Sequence, residues 1–113
     1  MVIISFKDGA DWAKANWVFR QLAEDVVSRC PTDAEIVKEM KQAQAIGALL
    51  LDQMDLQIRI RLIQAMKVIA NDTLAGRIRG WPPVDKNDPD GHRIYVSAIG
   101  ELLELLKTQD RRD

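Results

Sequence analysis

Apolar positions change their period along this chain, and each change marks an element. Val2 to Phe6 is a short apolar run with β-branched residues, which predicts a strand or extended arm. Asp8, Gly9 and Asp11 then read as a turn and a helix start. From there Trp12, Ala15, Phe19, Leu22, Val26 and Cys30 recur in steps of three and four, one face of a helix that Pro31 stops. Thr32 and Glu35 have the spacing of a capping box. The second helix they open carries Ile36, Met40, Ala43, Gly47, Leu50 and Met54 inward. Its stretch Ala45 to Leu51 is apolar all round, which predicts a central place in the packing, with Gly47 admitting a neighbouring helix closely.

Asp55 is the expected cap of a third helix. Leu56 to Leu62 alternates apolar and polar residues as a strand would, but continues into Ile63, Met66, Ala70 and Leu74 at helical spacing. The pattern is too long for a strand of about five to six residues, so it predicts a helix, ended by Gly76. Residues 80–91, with Pro82, Pro83, Pro89 and several Asp and Asn, read as a loop. A last helix from about His92 to Lys107 buries Ile94, Tyr95, Ala98, Ile99, Leu102, Leu103, Leu105 and Leu106, and residues 108–113 are expected to fray. The predicted fold is one mainly α domain over 1–113: four helices, the second and third central, with a short N-terminal strand. The alternative is an α+β fold of two or three short strands, in which Arg93 to Val96 pairs with Val2 to Phe6.

Composition agrees with a folded domain. The chain has 113 residues, 47% hydrophobic and 29% charged, with a net charge of -1. Disorder calls for fewer apolar residues and a larger net charge. A general polyanion binder would carry a clear basic excess. Charge is mildly uneven, a net of -3 over 1–55 and +2 over 56–113 by count of the sequence. One cysteine allows no internal disulfide and fits a reducing compartment, so the cytoplasm is the default location. The N-terminal apolar run is too short for a signal peptide, and no run approaches the roughly 20 apolar residues of a membrane span.

Candidate catalytic chemistry is sparse. His92 is the single histidine, and Cys30 on a buried helix face is an inert place for a thiol. A Cys30–His92 pair, with His92 carrying an activity, is the weakest reading. No Glu-x-x-His motif, phosphate loop or dinucleotide fingerprint is present. Asp85, Asn87, Asp88, Asp90 and Gly91 invite a calcium reading. Setting Gly91 at the glycine of an EF-hand loop, however, puts Lys86 and Ser97 at the first and last ligand positions. They are ordinary turn residues. The expectation is no catalytic residue, no metal, no cofactor and no small-molecule substrate.

Two surfaces remain. Arg59, Arg61, Arg77 and Arg79, with Lys67 and Trp81 nearby, would suit phosphates and a stacked base, the nucleic-acid alternative. The leading reading is a protein interface. On a regular first helix Trp17 lies about 170° from the centre of the apolar face, at roughly 100° per residue. Its expected neighbours are Lys14, Arg20, Gln21 and Glu24. A tryptophan within a charged rim of Arg20 and Glu24, joined by the Trp81 segment, is the pattern of an interface hot spot. The expected function is a non-enzymatic interaction module: a small inhibitor, immunity or antitoxin-like binder, a complex subunit, or a self-associating chain.

Overall fold

The chain opens with a hairpin. β1 (Val2–Ser5) and β2 (Asp11–Lys14) run antiparallel, with Ile4 opposite Trp12. The connection is a tight turn: Phe6 N donates to Ala10 O at 2.9 Å, Ala10 N donates to Asp8 Oδ1 at 3.0 Å, and Gly9 takes φ 88°. Such short loops need a residue at positive φ, which glycine supplies without a steric penalty. Asp8 and Gly9 thus turn the chain into a second strand, and the helix starts later than the apolar spacing predicts. The computed structural model describes residues 1–76 and 90–110, apart from the side chains of His92 and Asp110.

Two helices follow, α1 (Asn16–Arg29) and α2 (Ala34–Ile46). Asp33, not Thr32, caps α2: its Oδ1 accepts from Ile36 N at 3.3 Å. Glu35 is free of the capping role and pairs with Arg61 instead. The largest departure from the periodicity lies at Gly47. The second helix does not run on to Met54. Gly47 takes φ 80° and its N–H donates to Ala43 O at 2.8 Å, a left-handed helix stop. The apolar run therefore splits. Ile46 ends α2 with 70% exposure, while Ala48 to Leu50 form β3 (Ala48–Leu50), parallel to β1. A single 3₁₀ turn, Leu51–Gln53, leads out of it. Among the described residues Gly47 faces no neighbouring helix: an added β-carbon would come within 4 Å of Met1 O alone, at 3.6 Å. Gly47→Ala meets no clash but must hold an L-residue in left-handed backbone, so it should lose about 1–2 kcal/mol. A lower urea midpoint at unchanged slope is the expected result; an unchanged midpoint would contradict this role.

The sheet order is β2-β1-β3, and α1 and α2 supply the crossover that parallel strands require. Ile4, Trp12 and Leu49 are paired across the three strands and all buried, so they form one row on the inner face. Trp12 belongs to this row and not to a helix. Its Nε1 donates to Ala98 O at 2.9 Å, tying the sheet to the last helix.

α3 (Leu56–Leu74) confirms the helical reading of Leu56 to Leu62. Asp55 caps it through Gln57 N at 2.9 Å, and Gly76 follows its end at φ 69°. α3 packs on α1, α2 and α4, the central place expected of it, whereas α2 packs on α1, α3 and β3. α4 (Gly91–Asp110) includes Arg93 to Val96, so these residues are helical and do not pair with β1. It continues through Thr108 to Asp110, beyond the expected end at Lys107. The result is the expected mainly α fold, 71% helical among the described residues, with a small three-stranded sheet in place of a lone strand. Among the described residues no helix is long and apolar enough to cross a membrane.

Candidate functional site

Trp17 sits in the first turn of α1, where the chain has just left β2. It is 38% exposed, and its ring packs against the ring of Tyr95 from α4. The ring centroids are 6.2 Å apart and the planes are tilted by 33°. Tyr95 itself is fully buried, so the tryptophan rests on a fixed support. Arg20 and Glu24 lie three and seven residues on, both exposed and on the same side of α1. The other expected neighbour, Lys14, belongs to β2 and is paired with Glu101 of α4. Trp81 lies outside the described residues.

Beneath this surface is a carboxylate that the sequence does not single out. Asp25 is half-buried. Its Oδ1 accepts from Gln21 Nε2 at 3.2 Å, and its buried Oδ2 has no hydrogen-bond partner among the described residues. Burial raises the Asp25 carboxyl above its usual 3.8; the Gln21 hydrogen bond opposes this and the Glu24 charge adds to it. The Tyr95 phenol is also held above its ordinary value, by burial first and then by the Asp25 charge. A raised carboxyl means that the fold favours the protonated form. Asp25 thus contributes most below pH 3.8, and that contribution is lost as the pH rises through its folded value. Asp25→Asn keeps an oxygen for Gln21 and removes the charge. It should be more stable than the native chain in urea at neutral pH, with the difference shrinking below pH 3.8. A less stable variant at neutral pH would contradict this account.

Two of the four arginines, Arg59 and Arg61, are engaged within the fold. Arg61 Nη1 reaches Asp33 Oδ2 at 2.7 Å and its Nη2 reaches Glu35 Oε1 at 2.8 Å, fastening α3 to the start of α2. The Glu35 hydrogen bond is the main reason the guanidinium is held above its usual value. Arg59 Nη1 donates to Leu51 O at 3.5 Å. Arg77 and Arg79 lie outside the described residues, so the structure does not show the four together. Cys30 is partly buried against the core. Asp85, Asn87, Asp88 and the side chain of His92 lie outside the described residues. Among the described residues no group of three or more His, Cys, Asp or Glu is placed to hold a metal ion.

No family model, curated protein or solved structure matches the chain. Helical phase alone places Trp17, Arg20 and Glu24 on one side. Tyr95 and Asp25 complete the site only through the packing of α1 and α4. The one sequence signal for Asp25 is its position one residue before the buried Val26, too weak to choose it among the acidic residues of α1.

Proposed function

We propose that this chain is a non-enzymatic protein-binding module whose partner is engaged by Trp17 within the rim of Arg20 and Glu24. Trp81 is the candidate that the sequence offers to extend that surface. One observation supports the reading above others: a tryptophan 38% exposed on a charged helix face, braced by a fully buried aromatic ring. Tryptophan is enriched at interface hot spots because its area is large and few of its torsions need ordering on binding. Bracing lowers that ordering cost further. The partner is a second protein or a second copy of the chain; an inhibitor, an immunity or antitoxin-like binder and a complex subunit all fit this mechanism. A reducing cytoplasm is the compartment that suits a chain with one cysteine.

Nucleic-acid binding gains no support from Arg61, whose charge is already met by two carboxylates. The test is affinity purification of the native chain and Trp17→Ala, each with and without nuclease. A near-stoichiometric protein that survives nuclease and is lost with Trp17 supports the proposal. Retention of nucleic acid regardless of Trp17 would replace it with the arginine reading.

A further inference from the structure

The two edges of the sheet are treated differently by the sequence. On the β2 edge Asp11 and Lys14 carry charge, Lys14 pairs with Glu101, and Trp12 is tied to α4. Charged edge residues are the usual protection against unwanted pairing. β3 has only Ala48, Leu49 and Leu50, without a charge or a proline. Its register fixes which groups face outward. Ile3 N donates to Gly47 O at 3.1 Å and Ile3 is aligned with Ala48, so Gly47, Leu49 and Leu51 direct their ladder groups at β1. The N–H and C=O of Ala48 and the N–H of Leu50 therefore point away from the sheet, while the Leu50 C=O opens the 3₁₀ turn Leu51–Gln53.

A groove of about 390 Å³ runs beside this edge. No residue of β1 lines it, which places it on the open side of β3. Ile46, Leu50, Met54 and Ile58 give it apolar walls, and Glu39 and Asp55 give it negative charge. Among the described residues no Lys or Arg lines it. A second copy docked edge to edge would set these carboxylates against their own counterparts, so self-pairing is disfavoured. We infer that β3 is a docking edge for an extended segment of another protein, with apolar side chains at alternate positions and a Lys or Arg flanking them. The segment adds a fourth strand through the outward N–H and C=O of Ala48 and the N–H of Leu50, its apolar side chains enter the groove, and its basic residue meets Glu39 or Asp55. Strand addition at a free edge draws affinity from main-chain hydrogen bonds and specificity from the pockets beside them. This surface does not include Trp17, so the inference stands apart from the proposed interface on α1.

The test uses the full chain and a labelled seven-residue peptide with valine at alternate positions, threonine between and lysine at both ends. A second peptide has glutamate at both ends. The lysine-ended peptide should bind, about fivefold tighter than the glutamate-ended one. Its addition should shift the amide signals of Ala48 and Leu50. Leu50→Pro removes an outward N–H while sparing the ladder to β1, and Leu50 already has φ -97°, near proline's range. It should weaken binding about tenfold. Glu39→Lys leaves the backbone edge alone and should abolish or reverse the preference for lysine ends, so it decides the matter if the proline variant does not fold. Trp17→Ala should bind the peptide normally. Absence of binding, equal binding to both peptides, an unchanged preference in Glu39→Lys, equal binding by a folded Leu50→Pro, or amide shifts away from β3 would each overturn the inference.

Discussion

Replacing Trp12 with alanine is expected to lower the stability of the fold by about 3–5 kcal/mol, the usual range for emptying a buried aromatic site. Trp12 is 2% exposed and pairs with Ile4 across the hairpin. Its Nε1 is also the hydrogen-bond donor that joins β2 to Ala98 of α4. Alanine removes both the packed volume and this tie. A domain has roughly 5–15 kcal/mol in total, so the loss is about a fifth of it or more. At about 4 °C per kcal/mol the melting point should fall by roughly 12–20 °C. Trp12→Phe separates the two contributions. It keeps most of the apolar volume and loses the N–H, so about 1 kcal/mol of its cost belongs to the hydrogen bond. If the alanine variant melts within a few degrees of the native chain, Trp12 is not the keystone between sheet and helices.

The second large effect is on binding. Trp17→Ala should cost little in stability, about 1 kcal/mol, because the side chain is partly exposed and its main tie is one tilted ring contact with Tyr95. In a complex the same truncation should cost at least about 2 kcal/mol, roughly a 30-fold loss of affinity. This pairing of a small folding effect with a large binding effect distinguishes an interface tryptophan from a core one. Trp12 and Trp17 are predicted to show opposite patterns. Arg20→Ala and Glu24→Ala, on the exposed rim, should change binding less than Trp17→Ala.

Local signals were enough for much of the fold. The β-branched start of β1, the helical spacing of α1, α3 and α4, the Asp55 cap and the Gly76 stop can all be read from neighbours in sequence. The two missed strands depend on distant partners. β2 is Asp-Trp-Ala-Lys, with no β-branched residue, and its Trp12 falls by coincidence into helical step with Phe19. β3 is Ala-Leu-Leu, as suited to a helix as to a strand, and becomes a strand because Gly47 turns the chain back beside β1. A helical reading of Gly47 treats it as a packing glycine, since its positive φ leaves no trace in periodicity.

The candidate site divides in the same way. The phase of α1 placed Trp17 beside Arg20 and Glu24. Its support by Tyr95 comes from the other end of the chain and has no local signal. The pairing of Arg61 with Asp33 and Glu35 spans 28 and 26 residues. Sequence shows these three only as charged residues on two helices, which is why Arg61 counted there as a phosphate contact.

The most direct test of the binding account is titration calorimetry with purified components. The ligand would be the protein recovered in nuclease-treated affinity purification, added to the native chain and to Trp17→Ala. Native-like melting of the variant would be checked first. The account predicts saturable binding to the native chain and at least a roughly 30-fold weaker affinity for the variant. Equal affinities for the two, with the variant folded, would contradict the claim that this chain works through Trp17.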